Sequence, residues 1–154
     1  FKAVKRNRGA AGIDKVSIAM FEENLVENLA ALKRDLKTRD AFVAKPLRRV
    51  FIPKDAKATS FRPLGIPAVR DRIAQEVIRR LLEPIFEPLF HDSSFGFRPK
   101  RNCHQAIEKV LSYHAEGDRI TLDADIAGFF DNIPHKLIVD AVAEEVADGN
   151  ILNL

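Results

Sequence analysis

Between Ile120 and Phe130 the chain reads Ile-Thr-Leu-Asp-Ala-Asp-Ile-Ala-Gly-Phe-Phe, an apolar run that carries two carboxylates and ends in two aromatic rings. Alternation predicts a strand with Ile120, Leu122, Ala124 and Ile126 on one face and Thr121, Asp123 and Asp125 on the other. One face would feed a core and the other would offer oxygen ligands. Mg²⁺ is held by one or two carboxylates plus substrate phosphates, and paired ions stabilise both the attacking and the leaving oxygen of a phosphoryl transfer. A strand-end Asp is therefore half of such a site. The plainer reading of Asp125 is a strand-end cap or turn residue.

Cations that could meet phosphates lie upstream. Residues 1–104 carry 22 Lys/Arg against 12 Asp/Glu, whereas residues 105–154 carry 3 against 10, so a net charge of +3 conceals balances of +10 and −7. A basic part joined to an acidic one suits a polyanion on one surface and divalent cations on another. The 46% apolar content is enough for a core, and no run approaches the roughly 18 apolar residues of a membrane span. No signal peptide is legible, and the single Cys103 excludes an internal disulfide, so the expected setting is intracellular and cytoplasmic. The four histidines, at 91, 104, 114 and 135, are too scattered for zinc.

The elements that would position these groups follow from periodicity. A short helical end opens the chain, and a glycine-punctuated turn covers residues 7–17. Ser17 can cap a helix whose stripe is Phe21, Leu25, Leu29, Leu32 and Leu36. Strand-like runs at 48–52 and 61–66, separated by the polar residues 55–60, predict a hairpin with a mobile tip. From Asp71 a helix buries Ile73, Val77, Ile78, Leu81 and Ile85, and Pro84 and Pro88 break or kink its end. Residues 93–102 form a turn in which Gly96 permits close approach or an unusual dihedral. Asn102 caps a helix running to about His114, buried along Ala106, Ile107, Val110 and Leu111 and stopped by Gly117. Pro134 then starts a helix lined by Leu137, Ile138, Ala141, Val142 and Val146.

The string Asp125-Ile126-Ala127-Gly128-Phe129-Phe130-Asp131 resembles the first catalytic motif of reverse transcriptases. Four more stretches, residues 7–17, 46–67, 70–87 and 93–102, make the chain similar over nearly its whole length to the group II intron reverse transcriptase and maturase family. The resemblance implies that Asp125 is the catalytic metal ligand for two Mg²⁺ ions and that the Ile126 carbonyl contributes to one of them. It implies that Phe130 stacks under the deoxyribose and blocks a 2′-hydroxyl. Asp123 stays a rival by its face, although only Asp125 has the family spacing to Phe130. Arg48, Lys54 and Arg62 match the fingertip cations that clamp the nucleotide triphosphate, where Lys as a point charge and Arg as a fork stabilise the leaving pyrophosphate. Arg8 and Lys15 fall in a block lying against the template, and Arg98, Lys100 and Arg101 form a basic cluster for phosphates. Ala11, Lys15 and Ala127 depart from the commoner Pro, Gly, and Lys or Glu.

The implied fold class is α+β: reverse transcriptase-like fingers with the first part of a palm, mostly helical, with a fingers β-hairpin and one or two palm strands. Residues 1–118 would be fingers with an N-terminal extension block, and residues 119–154 the start of a palm ending before the second catalytic motif. The implied activity is RNA-directed DNA polymerisation, with RNA template or intron RNA, DNA primer and deoxynucleotide triphosphates as partners and no membrane. The 154 residues alone are expected to polymerise little or nothing, since the remaining metal carboxylates lie in motifs they lack. An open palm edge predicts self-association. The alternatives are a non-catalytic, maturase-like RNA-binding module that assists splicing, or a retron, diversity-generating or CRISPR-associated reverse transcriptase.

Overall fold

The computed structural model describes residues 1–55, 57 and 59–154, apart from the side chain of Asp131. Ala56 and Ala58 of the expected hairpin tip, and the Asp131 side chain of the aspartate motif, lie outside the described residues. In chain order the elements are α1 (Lys2–Arg6), α2 (Ile18–Glu23), α3 (Leu25–Lys37), β1 (Arg48–Pro53), β2 (Phe61–Ile66), α4 (Val69–Phe86), a 3₁₀ turn (Glu87–Leu89), α5 (Cys103–Glu116), α6 (Phe129–Asn132), α7 (His135–Ala143) and α8 (Gly149–Leu152). The fold class is α+β. The chain forms two compact units, Phe1–Leu81 with Asp148–Leu154, and Leu82–Ala147.

The first unit is built on an apolar core. Val4, Phe21, Leu32, Val69, Ile73 and Ala74 are buried together, with Phe1, Val16, Ile18, Leu25, Leu29, Leu36 and Phe42 packed against them. Ser17 caps α2, its Oγ accepting from the Met20 amide at 3.1 Å. The single helix expected from Ser17 is interrupted at Asn24, where φ −119° and ψ 45° leave the helical region. A carbonyl freed by that break is satisfied locally, since the Asn28 side chain donates through Nδ2 to Phe21 O at 2.9 Å. Across the core, Arg70 of α4 pairs with Asp35 of α3 at 2.6 Å and lies 4.9 Å from the Phe42 ring centre.

The hairpin forms as its alternation predicts. β1 and β2 are antiparallel, pairing Arg48 with Ile66, Val50 with Leu64 and Ile52 with Arg62. Arg48, Val50 and Ile52 are half-buried while Arg49, Phe51 and Pro53 are exposed. Helix α4 starts at Val69, two residues before the expected Asp71, and accommodates Pro84 in its last turn before the 3₁₀ turn ends it. Of its expected stripe Ile73 is buried, but Val77, Leu81 and Ile85 remain exposed.

The second unit is differently made. Helix α5 is closed at both ends: Asn102 and Gln105 form a reciprocal capping box, and Gly117 at φ 117° takes the left-handed C-cap. Yet Ile107, Val110 and Leu111 of α5 and Leu137 and Ile138 of α7 are exposed, and Val146 is the one buried hydrophobic among the described residues of this unit. The expected palm strand is corrected here. Residues 118–126 carry no regular structure, and the only ladder among the described residues joins β1 to β2. A strand without a partner cannot satisfy its backbone groups by pairing, so Ile120 and Leu122 stand 94% and 90% exposed instead of facing a core.

Candidate nucleotide and nucleic-acid interface

In the first unit the turn of residues 7–17 is pinned by close backbone approach and by one guanidinium. A Cβ on Gly12 would fall 2.6 Å from Ala68 Cα, so only glycine fits there. Arg72 donates through Nε to Pro67 O at 3.0 Å and through Nη2 to Ala10 O, stapling the turn to the start of α4. A lone Arg in a helix carries no signal that it will reach a backbone carbonyl some sixty residues away. Asp14 completes the anchor, accepting from Lys45 Nζ at 3.0 Å and from the Val16 amide at 3.2 Å. Burial pushes the Asp14 carboxyl up, but these two hydrogen bonds and the Lys45 charge outweigh it and hold the group below its ordinary value. Arg8 and Lys15 stand exposed on this turn at φ 49° and 59°, and neither side chain has an ion-pair partner among the described residues.

The hairpin register decides how its cations are arranged. Opposed residues share a face, so Arg62, opposite Ile52, lies on the same face as Arg48, at the other end of the ladder. Arg62 and Lys54 are exposed, whereas Arg48 is half-buried with its Nε unpartnered. The tip is organised by Asp55, which sequence reasoning passed over as a polar spacer. Its carboxylate accepts from Thr59 Oγ1 at 2.7 Å, from the Thr59 amide at 3.1 Å and from Ser60 Oγ at 3.3 Å, and the Thr59 hydroxyl leads in lowering its pKa. Below the hairpin, Asp71 is 3% exposed. Its Oδ2 takes the Lys45 amide at 2.9 Å and its Oδ1 has no partner.

In the second unit Arg98, Lys100 and Arg101 fall in one loop but are differently employed. Arg98 directs Nε to Glu87 Oε1 at 3.1 Å, Nη1 to His91 O and Ser94 O at 2.9 and 3.0 Å, and Nη2 to Glu87 O and Oε1 at 3.3 and 2.9 Å. A guanidinium has five N–H donors, and all five are engaged here on a side chain only 8% exposed. No N–H of Arg98 is left for a phosphate; it orders the loop. Arg101 donates to Asp92 O at 3.1 Å and lies 5.5 Å from the Phe95 ring centre. Lys100 is exposed at φ 61°. Gly96 needs neither the unusual dihedral nor the close approach expected of it, because a Cβ there would meet nothing within 4 Å.

Asp125 and Asp123 are both exposed in the unpaired stretch, and Ile126 follows, also exposed. Gly128 at φ 59° turns the chain into α6, and its carbonyl accepts from the Asn132 amide and side chain at 3.1 and 2.9 Å. That turn presents Phe130 86% exposed, with its ring centre 5.6 Å from that of Phe129. Among the described residues no three His, Cys, Asp or Glu side chains converge as a metal site. The donors of a hard cation are nevertheless of the right kind, a free carboxylate followed by a peptide carbonyl.

The profile described as reverse transcriptase (RNA-dependent DNA polymerase) matches residues 52–150. The chain belongs to the reverse transcriptase family. It is 35% identical over 151 residues to the group II intron-encoded protein LtrA of Lactococcus lactis, covering 96% of this chain and 24% of that protein. It is 37% identical over 147 residues to protein YkfC of Escherichia coli, covering 93% of this chain and 38% of that protein. Nuclear intron maturase 1, mitochondrial, of Arabidopsis thaliana is 33% identical over 88 residues, 57% of this chain and 12% of the other. The chain thus spans about a quarter to two-fifths of the length of the two relatives that cover nearly all of it. No helix among the described residues is long and apolar enough to cross a membrane.

Proposed function

We propose that this chain contributes the template- and nucleotide-handling part, and the first metal-binding carboxylate, of an RNA-directed DNA polymerase encoded by a group II intron. In this reading residues 1–118 act as fingers and residues 119–154 begin the palm. The observation that carries it is the joint exposure of Asp125 and Phe130 on either side of the Gly128 turn, in a chain of this family. A buried or turn-capping Asp would satisfy neither metal nor sugar chemistry, and an exposed phenylalanine gains nothing in packing. When bound, Mg²⁺ would supply charge stabilisation at the attacking and leaving oxygens. Asp125 and the Ile126 carbonyl are its ligands from this chain, Phe130 meets the sugar, and Arg48, Lys54 and Arg62 meet the triphosphate. Arg8, Lys15, Lys100 and Arg101 meet the nucleic acid, with Arg98 holding the loop of Lys100 and Arg101. Intron RNA or another RNA template, a DNA primer and deoxynucleotide triphosphates are the partners, in a cytoplasmic setting that the exposed, unpaired Cys103 suits.

The test is primer extension on an RNA template by the intact protein. Asp125→Ala is expected to lower the rate more than about 100-fold, beyond the effect usual for a residue that only supports a metal ligand, while RNA affinity holds. Undiminished extension by that variant would refute the assignment. Extension absent from the unsubstituted protein as well, with tight RNA binding kept, would favour the maturase-like module without chemistry.

A further inference from the structure

Phe97 is the most exposed of the large hydrophobic side chains described, at 110% of its reference area. Its backbone sits at φ 56°, the left-handed region that bulky side chains avoid because Cβ crowds the following carbonyl. A strained backbone and a solvent-facing ring are two costs, and nothing among the described residues offsets them by packing. Outliers of this kind cluster where a ligand is met.

The loop is also held firmly enough to present the ring. The five donors of Arg98, next in the chain, tie it to Glu87, His91 and Ser94, and its guanidinium lies 5.2 Å from the Phe90 ring centre. Approach is open, since a Cβ on the preceding Gly96 would touch nothing within 4 Å. The charge around the ring is positive where it is uncommitted. Glu87 is taken by Arg98, Asp92 is paired with Arg101 at 3.5 Å, and Lys100 stands exposed with no ion-pair partner among the described residues. An aromatic face beside free and fork-like cations is the arrangement by which proteins stack unpaired bases while tracking the phosphate backbone.

We propose that Phe97 is a stacking platform for an unpaired nucleobase of RNA, with Lys100 on the neighbouring phosphate and Arg98 as the positioning residue beneath. This rests on the RNA-binding part of the function proposed above and adds to it the residue that meets the base. Because a base stacks through its face, the platform is indifferent to sequence, as a template path requires.

The test uses the intact protein, fluorescence anisotropy, and two labelled oligomers of equal length over a salt series: oligouridylate and an abasic ribose-phosphate chain. Phe97→Ala and Phe97→Leu are expected to weaken oligouridylate binding roughly five- to 100-fold, with the salt slope and the abasic oligomer unaffected. Phe97→Trp should keep or improve the affinity, which separates lost stacking from a lost fold. Lys100→Ala should weaken both oligomers and lower the salt slope by about one unit. Oligouridylate binding by Phe97→Ala equal to that of the unsubstituted protein, or an equal loss on both oligomers, overturns the platform alone. Failure of the unsubstituted protein to bind either oligomer overturns the RNA-binding reading and the platform with it. If Phe97→Ala changes self-association and leaves RNA affinity alone, the ring is a protein contact and the proposal falls.

Discussion

The two units differ in what holds them. The first closes an apolar core around Phe21, Leu32, Val69 and Ile73 and completes its one ladder locally, between strands joined by a short tip. The second buries Val146 alone among its described hydrophobic side chains, and the stretch bearing Asp125 has no strand to pair with. Order has a different source in each. In the first, burial fixes the framework and the cations ride on it. In the second, polar devices do that work: the capping box on α5, the Gly128 turn and the Arg98 knot. A hairpin needs only its own neighbour, whereas a palm strand needs partners from distant sequence, and that difference separates the element that formed from the one that did not.

The widest test of this contrast sets two leucines against each other. Leu32→Ala removes a buried side chain from the first unit and should cost about 2–4 kcal/mol in transfer and cavity terms. Leu122→Ser, on a side chain already in solvent, should change stability by no more than about 0.5 kcal/mol and should reduce self-association. Urea melts compare the two directly. Similar losses in both would mean that residues 118–126 are packed after all.

A smaller effect tests the polar knot. Glu87→Ala strips the buried Arg98 guanidinium of its carboxylate partner, and about 1–3 kcal/mol of local order should go with it. Amide exchange is expected to accelerate over residues 88–101 and to stay unchanged in α2 and α3. Protection that survives the substitution would show that the loop is held by something other than Arg98.

How much of this was legible depends on the range of the forces involved. The Ser17 cap, the hairpin and the Asn102 to Gly117 helix all came from local signals, namely caps, alternation and turn residues separated by a few positions. The break at Asn24 did not, because the leucine stripe runs through it unchanged and the Asn28 side chain that satisfies Phe21 O leaves no mark in the periodicity. Nor did the roles of Arg72 and Arg98. Arg72 is one more charge along a helix and Arg98 falls in the cluster expected to meet phosphates, and only tertiary placement shows one stapling the Gly9 to Gly12 turn and the other spending every donor inside its loop. Alternation in residues 120–126 predicted a strand that does not form, because a pattern carries no information on whether a partner is present.

The smallest effect sharpens the contrast through pH. Asp14, Asp55 and Glu76 are all held below their ordinary values, and all lie in the first unit. Glu76 is the furthest moved, down to about 2, first by the hydrogen bond from Arg79 and then by that from Arg80. Its folded pKa lies below the unfolded value near 4.5, so its contribution is complete above pH 4.5 and is lost as the pH falls from there toward 2. Both arginines are more than half exposed, so solvent screening keeps the contribution of this pair network small. Glu76→Gln should therefore leave stability at pH 2 almost unchanged, lower it slightly at pH 7, and flatten the intervening slope. The α5 capping box should show no such dependence, because neither Asn102 nor Gln105 titrates. If exchange protection in α5 falls with pH as steeply as that in α4 before Leu81, and does so only when Glu76 is present, the two units share a stability that their separate interiors do not explain.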